Sequence, residues 1–187
     1  MQTNKLTPLT IAQSEGIVHE ILARTQKAMG MVPNMYAGMG NNAALLDSYT
    51  YSYHSFRDRS GFTPQEQEVI FLSVAVENSC EYCVAAHSFI ADKMSNVPAE
   101  ITDAIRTDAL INDQKLRALS VFTRVMTLTR ANPSQTDVDA FLIAGYTEKD
   151  ILGVITGIGV KTFSNYFNHL FTTDIDKPFA ERAWKKK

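Results

Sequence analysis

Thr63-Pro64-Gln65-Glu66-Gln67-Glu68-Val69-Ile70-Phe71-Leu72-Ser73-Val74-Ala75-Val76 is the stretch whose reading decides the fold. Its apolar run, Val69 to Val76, is rich in β-branched residues and suits a buried strand as well as a buried helix. The residues before it favour helix. Thr63 can serve as N-cap, Pro64 fits the first helical position, and Glu66 completes a capping box. A helix that is apolar almost all round is buried, so this segment is expected at the centre of the core.

The next stretch, Ser79-Cys80-Glu81-Tyr82-Cys83-Val84-Ala85-Ala86-His87, holds both cysteines and one of the four histidines. Asn78-Ser79 is expected to end the first helix and cap a second one that carries Cys80 at or near its first turn. On that helix Cys80, Cys83 and His87 stand at i, i+3 and i+7 and share a face. The positive end of the backbone dipole favours thiolate over thiol, and an imidazole can take the proton. His87 follows Cys83 by four residues, so Cys83 is the thiol most directly activated. Cys80, one turn away, is placed to attack an oxidised Cys83 and close a disulfide.

Glu68 would lie about 18 Å from Cys80 along one unbroken helix. A hairpin folded back at Asn78-Ser79 instead sets Glu68 opposite His87, giving a carboxylate–imidazole–thiol relay. Glu77, beside the turn, is a weaker candidate for the same role. Two other readings stay open on the residues alone. Cys80, Cys83, His87 and Glu68 form a conceivable zinc set, although no second CxxC or HxxxH supplies further ligands. The cysteines could also be small apolar fillers.

Working outward, residues 11–29 show helical periodicity, with His19 on the polar side. Gly30-Met31-Val32-Pro33-Asn34 breaks that helix, and Asn34 can cap a short one after it. Residues 43–59 read as a helix with a stripe of Leu45-Leu46, Tyr49, Tyr53 and Phe56. His54 beside it reads as a surface or interfacial residue, with a pocket wall as the alternative. Further helices are expected over residues 98–106, 114–130, 132–144 and 148–171. The sum is an all-α bundle of about seven to nine helices, taken as a single domain over residues 1–187.

Gly153, Gly157 and Gly159 weaken the last helix and are expected to permit close packing. A phosphate loop is the alternative, without the strand or GKS signal it needs. A weak internal two-fold repeat runs at an offset of 84 residues, pairing Thr63 with Thr147, Val76 with Val160 and Cys80 with Ser164.

With 45% hydrophobic and 20% charged residues, the composition is that of an ordinary globular protein. A net charge of -2 offers no general attraction to nucleic acid or anionic membrane. Residues 1–6 lack the apolar core of a secretion signal and no window suits a membrane span, so a cytoplasmic location is expected. Lys185-Lys186-Lys187 reads as a solvated tail. In a reducing compartment, a CxxC pair suggests reactive thiols or metal ligands more than a structural staple.

Glu68, Cys80-Glu81-Tyr82-Cys83 and His87 resemble the signature of the carboxymuconolactone decarboxylase superfamily, in its alkylhydroperoxidase D-like branch. Gly30-Met31-Val32-Pro33-Asn34, Ala144-Gly145-Tyr146-Thr147 and Asn165-Tyr166-Phe167-Asn168-His169 resemble segments of peroxidase-related members. The resemblance implies an all-helical fold, a homotrimer or homohexamer, and a peroxiredoxin-like thiol peroxidase or disulfide reductase without a cofactor. It implies that Cys83 attacks the peroxide to give a sulfenic acid, that Cys80 condenses with it, and that dihydrolipoamide or a thioredoxin-like protein restores the pair. Members that are true lactone decarboxylases typically lack the cysteine pair. His169 could enter the site from the second half, or be structural.

Overall fold

Thr63 does cap the central helix: its hydroxyl accepts from the Glu66 N–H, and the Glu66 carboxylate accepts in return from the Thr63 N–H at 2.9 Å. The resulting helix, Pro64–Glu77, settles the helix-or-strand question. The structure, a computed structural model, describes residues 6–186; the expected absence of a signal over residues 1–5 and the end of the lysine tail at Lys187 lie outside the described residues. Among those described, nine α-helices run in order: α1 (Gly16–Met29), α2 (Asn34–Met39), α3 (Ala43–Arg59), α4 (Pro64–Glu77), α5 (Glu81–Lys93), α6 (Ala99–Thr107), α7 (Gln114–Leu128), α8 (Gln135–Ile143) and α9 (Glu148–Phe171). Short 3-10 turns at Ile11–Gln13 and Lys177–Arg182 precede and follow them.

The helix expected over residues 11–29 is divided, because Ser14 is extended and α1 begins only at Gly16, whose φ is +54°. Asn34 does not cap α2 with its own side chain. Its N–H is instead capped from the far end of the chain by the Asp176 carboxylate at 3.1 Å. Asn42 and Ser134 cap α3 and α8 through their side-chain oxygens.

Every residue of α4 from Glu66 to Val76 is buried, because α5, α6, α7 and α9 all pack against it. Close approach of α9 depends on two of its glycines. A Cβ at Gly153 would stand 2.7 Å from the Phe62 ring, and one at Gly157 2.7 Å from Ile70. Gly159 departs from the expectation, since it faces open space. The internal repeat is visible as a second capping box, Thr147 with Asp150, at the start of α9. The two halves then diverge: α4 stops at Glu77, whereas α9 runs unbroken through Phe163-Ser164.

Candidate active site

The site is built by the turn between α4 and α5. The Ser79 N–H donates to the Val76 carbonyl at 3.0 Å and the Cys80 N–H to the Ala75 carbonyl at 2.9 Å, the paired closure that ends a helix on a left-handed residue. That residue is Ser79, at φ +57°. Ser79 therefore turns the chain rather than capping α5, and Cys80 occupies the N-cap position. Asn78 fastens the turn to α9 by donating to Asn165 Oδ1 at 2.8 Å.

Folding back at this turn brings α5 alongside α4, and Glu68 meets His87 with Oε2 2.9 Å from Nδ1. A carboxylate only accepts, so Nδ1 carries the hydrogen and Nε2 is left with a lone pair. The other Glu68 oxygen accepts from Arg57 on α3, which also donates to Tyr53 Oη at 2.9 Å and Gln67 Oε1 at 3.1 Å. Glu68 is completely buried. Burial pushes its carboxyl up, but His87 and Arg57 outweigh this and hold it below the usual carboxylate range. Burial, with help from Lys161, pushes His87 below the usual histidine range against the pull of Glu68. A neutral imidazole with a free Nε2 is a proton acceptor.

Cys83 and His87 line one cavity of about 260 Å³, together with Tyr36, Tyr49, Tyr53 and Lys161. Arg24, Met29 and His54 are exposed and stand at its mouth. His54 thus combines the two roles its sequence context allowed. Cys80 is completely buried and is absent from the cavity wall. Both cysteines are free thiols.

The pair is electrically asymmetric. Burial opposes ionisation of Cys83, yet a hydrogen bond from Cys80, the charge of Lys161 and contacts with His87 and Ser164 hold it well below the ordinary thiol range. Cys80 is pushed up by its hydrogen bond to Cys83 and by burial. Asn168 Nδ2 adds donors at 3.3 Å from Cys83 Sγ and 3.8 Å from Cys80 Sγ.

Three groups in this arrangement escaped sequence reasoning. Arg57 had no spacing signal toward Glu68, because they sit on different helices. Asn168 stood beside His169, which drew attention by its chemistry, but His169 is exposed and it is the amide that reaches the thiols. Lys161 did leave a signal, a lone charge in a long apolar helix. Glu77 points away and pairs with Arg124 on α7. Among the described residues, no three His, Cys, Asp or Glu side chains converge to hold a metal ion.

Residues 44–124, which include Glu68, Cys80, Cys83 and His87, match the model of the carboxymuconolactone decarboxylase family. Beyond this segment, an alkylhydroperoxidase D-like fold extends over the chain. It is similar to an alkylhydroperoxidase AhpD core structure, an uncharacterized peroxidase-related protein from Ralstonia eutropha JMP134, with TM-score 0.84 and 19% identity over 99% of this chain and 100% of that one. A peroxidase-related protein from Silicibacter sp. TM1040 gives TM-score 0.77 at 19% identity, over 96% of each chain. A cysteine-to-alanine form of the debrominase Bmp8, in complex with 2,3,4-tribromopyrrole, gives TM-score 0.80 at 16% identity, over 97% of this chain and 96% of that one. No curated protein matches the chain.

Proposed function

We propose that this protein is a thiol peroxidase that reduces organic hydroperoxides with the Cys80/Cys83 pair. The observation that carries the reading is the placement of Cys83 on the cavity wall, beside a His87 anchored by Glu68, with Cys80 buried behind it. His87 Nε2 takes the Cys83 proton. The thiolate attacks the outer peroxide oxygen, forming S–O and breaking O–O, and the departing alkoxide takes the proton back as an alcohol. The Cys80 thiol then displaces hydroxide from the sulfenic acid, giving a disulfide and water. A dithiol such as dihydrolipoamide, or a thioredoxin-like protein, reduces the disulfide. Tyrosine walls suit an alkyl or aryl hydroperoxide more than hydrogen peroxide.

Peroxide consumption with dihydrolipoamide as electron donor tests the proposal. Cys83→Ser should abolish turnover, and Cys80→Ser should stop after one equivalent with a sulfenic acid on Cys83. An unchanged rate in Cys83→Ser overturns the assignment.

A second reading is supported by the aromatic cavity: the same pair could replace an aryl halogen with hydrogen, two thiols becoming a disulfide as halide and a proton leave. Bromide release from a bromopyrrole would favour it. We also infer a cytoplasmic homotrimer or homohexamer. Leu152, Ile155, Phe163, Tyr166 and Leu170 are exposed along one face of α9, which supports association of copies. Light scattering should give a mass three or six times that of the chain, and a monomer would refute it.

A further inference from the structure

We propose that Lys161 is the counter-ion of Cys83: its ammonium, reaching the cavity from α9, holds the reacting sulfur as thiolate and makes the Cys80–Cys83 disulfide easier to reduce.

The argument begins with an unbalanced charge. Lys161 is 1% exposed, and a buried ammonium is costly unless something compensates it. Among the described residues no carboxylate lies within ion-pair distance of it. Glu68, the acid behind His87, is committed through its two oxygens to Arg57 and His87. What Lys161 does face is the cavity wall shared by Cys83 and His87, with its Nζ 5.4 Å from the centre of the Phe71 ring. An aromatic face helps hold a cation but does not neutralise it.

The other groups facing Cys83 cannot fill the role of counter-ion. Tyr49 comes from α3, Tyr82 and His87 from its own helix, Cys80 from the turn, and Ser164 and Asn168 from α9. Tyr49, Tyr82 and Cys80 become anions or stay neutral when they titrate. Asn168 and Ser164 are uncharged donors. His87 is pushed toward its neutral form by burial and Lys161, and carries the Cys83 proton only during turnover. Arg57 is reached only through Glu68. A Cys83 thiolate therefore balances Lys161 as Arg57 balances Glu68, and the lowering of Cys83 by Lys161 agrees with this pairing.

The redox consequence follows from linkage. A contact that stabilises the reduced, thiolate form shifts the dithiol/disulfide equilibrium toward the dithiol, as a low thiol pKa does in strongly oxidising disulfide proteins. No atom transfer is assigned to Lys161, so it is a charge-setting residue and not an acid or base.

The test is the pH dependence of iodoacetamide alkylation at Cys83, read by mass spectrometry of the Cys83 peptide. In Lys161→Met the inflection should rise by at least one pH unit, and equilibration in a glutathione buffer should favour the disulfide about tenfold more, one unit of thiol pKa corresponding to a factor of about ten. Lys161→Arg should restore both. Circular dichroism establishes that each variant is folded. If Lys161→Met loosens the fold, Lys161→Gln, which keeps a polar chain without charge, carries the same expectation. An unchanged inflection in a folded, uncharged variant overturns the proposal. The inference rests on Cys83 being the reacting sulfur, but alkylation needs no peroxide. A shifted inflection in a protein inert to hydroperoxides would therefore sink the peroxidase reading while leaving the role of Lys161 intact.

Discussion

Glu68 spends one oxygen on a guanidinium and the other on an imidazole, and all three groups are buried or nearly so. Removing one member of such a set strands the rest. Glu68→Gln keeps the volume but leaves Arg57 without its charge partner, and should cost about 3–5 kcal/mol of stability, the usual result of breaking a buried pair from one side. Urea unfolding measures it, and the double variant Glu68→Gln/Arg57→Met should cost less than the sum of the two single changes. The same residues fix an acid response. His87 and Glu68 both have lowered pKa values in the folded protein, so the unfolded chain binds more protons as the pH falls. Stability then rises with pH through both windows. The His87 contribution is present above the ordinary histidine value of 6.5 and is lost as pH drops toward its lowered folded value; the Glu68 contribution is lost next, below 4.5. Melting temperature should fall between about pH 7 and pH 5, and His87→Gln should flatten that part of the profile. A wild-type melting temperature flat over that range would contradict the assignment.

Between elements, spacing carried more information than residue chemistry. The central helix was legible because three side chains at its start have one good use, and the meeting of Glu68 with His87 followed from counting residues on either side of Asn78-Ser79. Inter-helix contacts left no such trace. Arg57 and Lys161 reach the site from α3 and α9, and nothing local records which distant helix will lie beside which. The glycines of α9 show the same divide. All three invite a packing explanation in sequence, but a Cβ at Gly157 would press on Ile70 at 2.7 Å and on Phe56 at 3.1 Å, whereas Gly159 has open space. Gly157→Ala should therefore cost about 1–3 kcal/mol through overpacking, while Gly159→Ala should gain roughly 1 kcal/mol from helix propensity. Thermal denaturation of the two variants side by side should give shifts of opposite sign, and equal shifts would mean that α9 sits farther from α4 than described.

Across the whole molecule, segments from the first and last quarters of the chain meet beside the site through Asp176. Its carboxylate accepts from the Asn34 N–H at the start of α2 and, at 2.5 Å, from Tyr82 Oη on α5. Three segments distant in sequence thus converge on one buried acid, and no periodicity announces such a knot. Phe179, three residues on, packs edge-on against Tyr82 at 6.3 Å between ring centres, and both rings line the cavity. Arg106 holds the segment farther along, donating to the carbonyls of Arg182 and Ala183. Loss of the Asp176 carboxylate should therefore free the Phe179 wall while Arg106 keeps the end of the chain docked. Asp176→Ala should cost at least about 1.5–3 kcal/mol, the range for a hydrogen bond to a charged group. Tyr82→Phe should cost less, because Asn34 still occupies the acid. Since both changes remove the same bond, their effects should be less than additive in a double-mutant cycle. The cavity supplies a second readout: alkylation of Cys83 should quicken in Asp176→Ala at a pH where the sulfur is fully ionised, because access rather than charge has changed. If the rate stays level while stability falls, Asp176 secures the fold without shaping the entrance to the thiol.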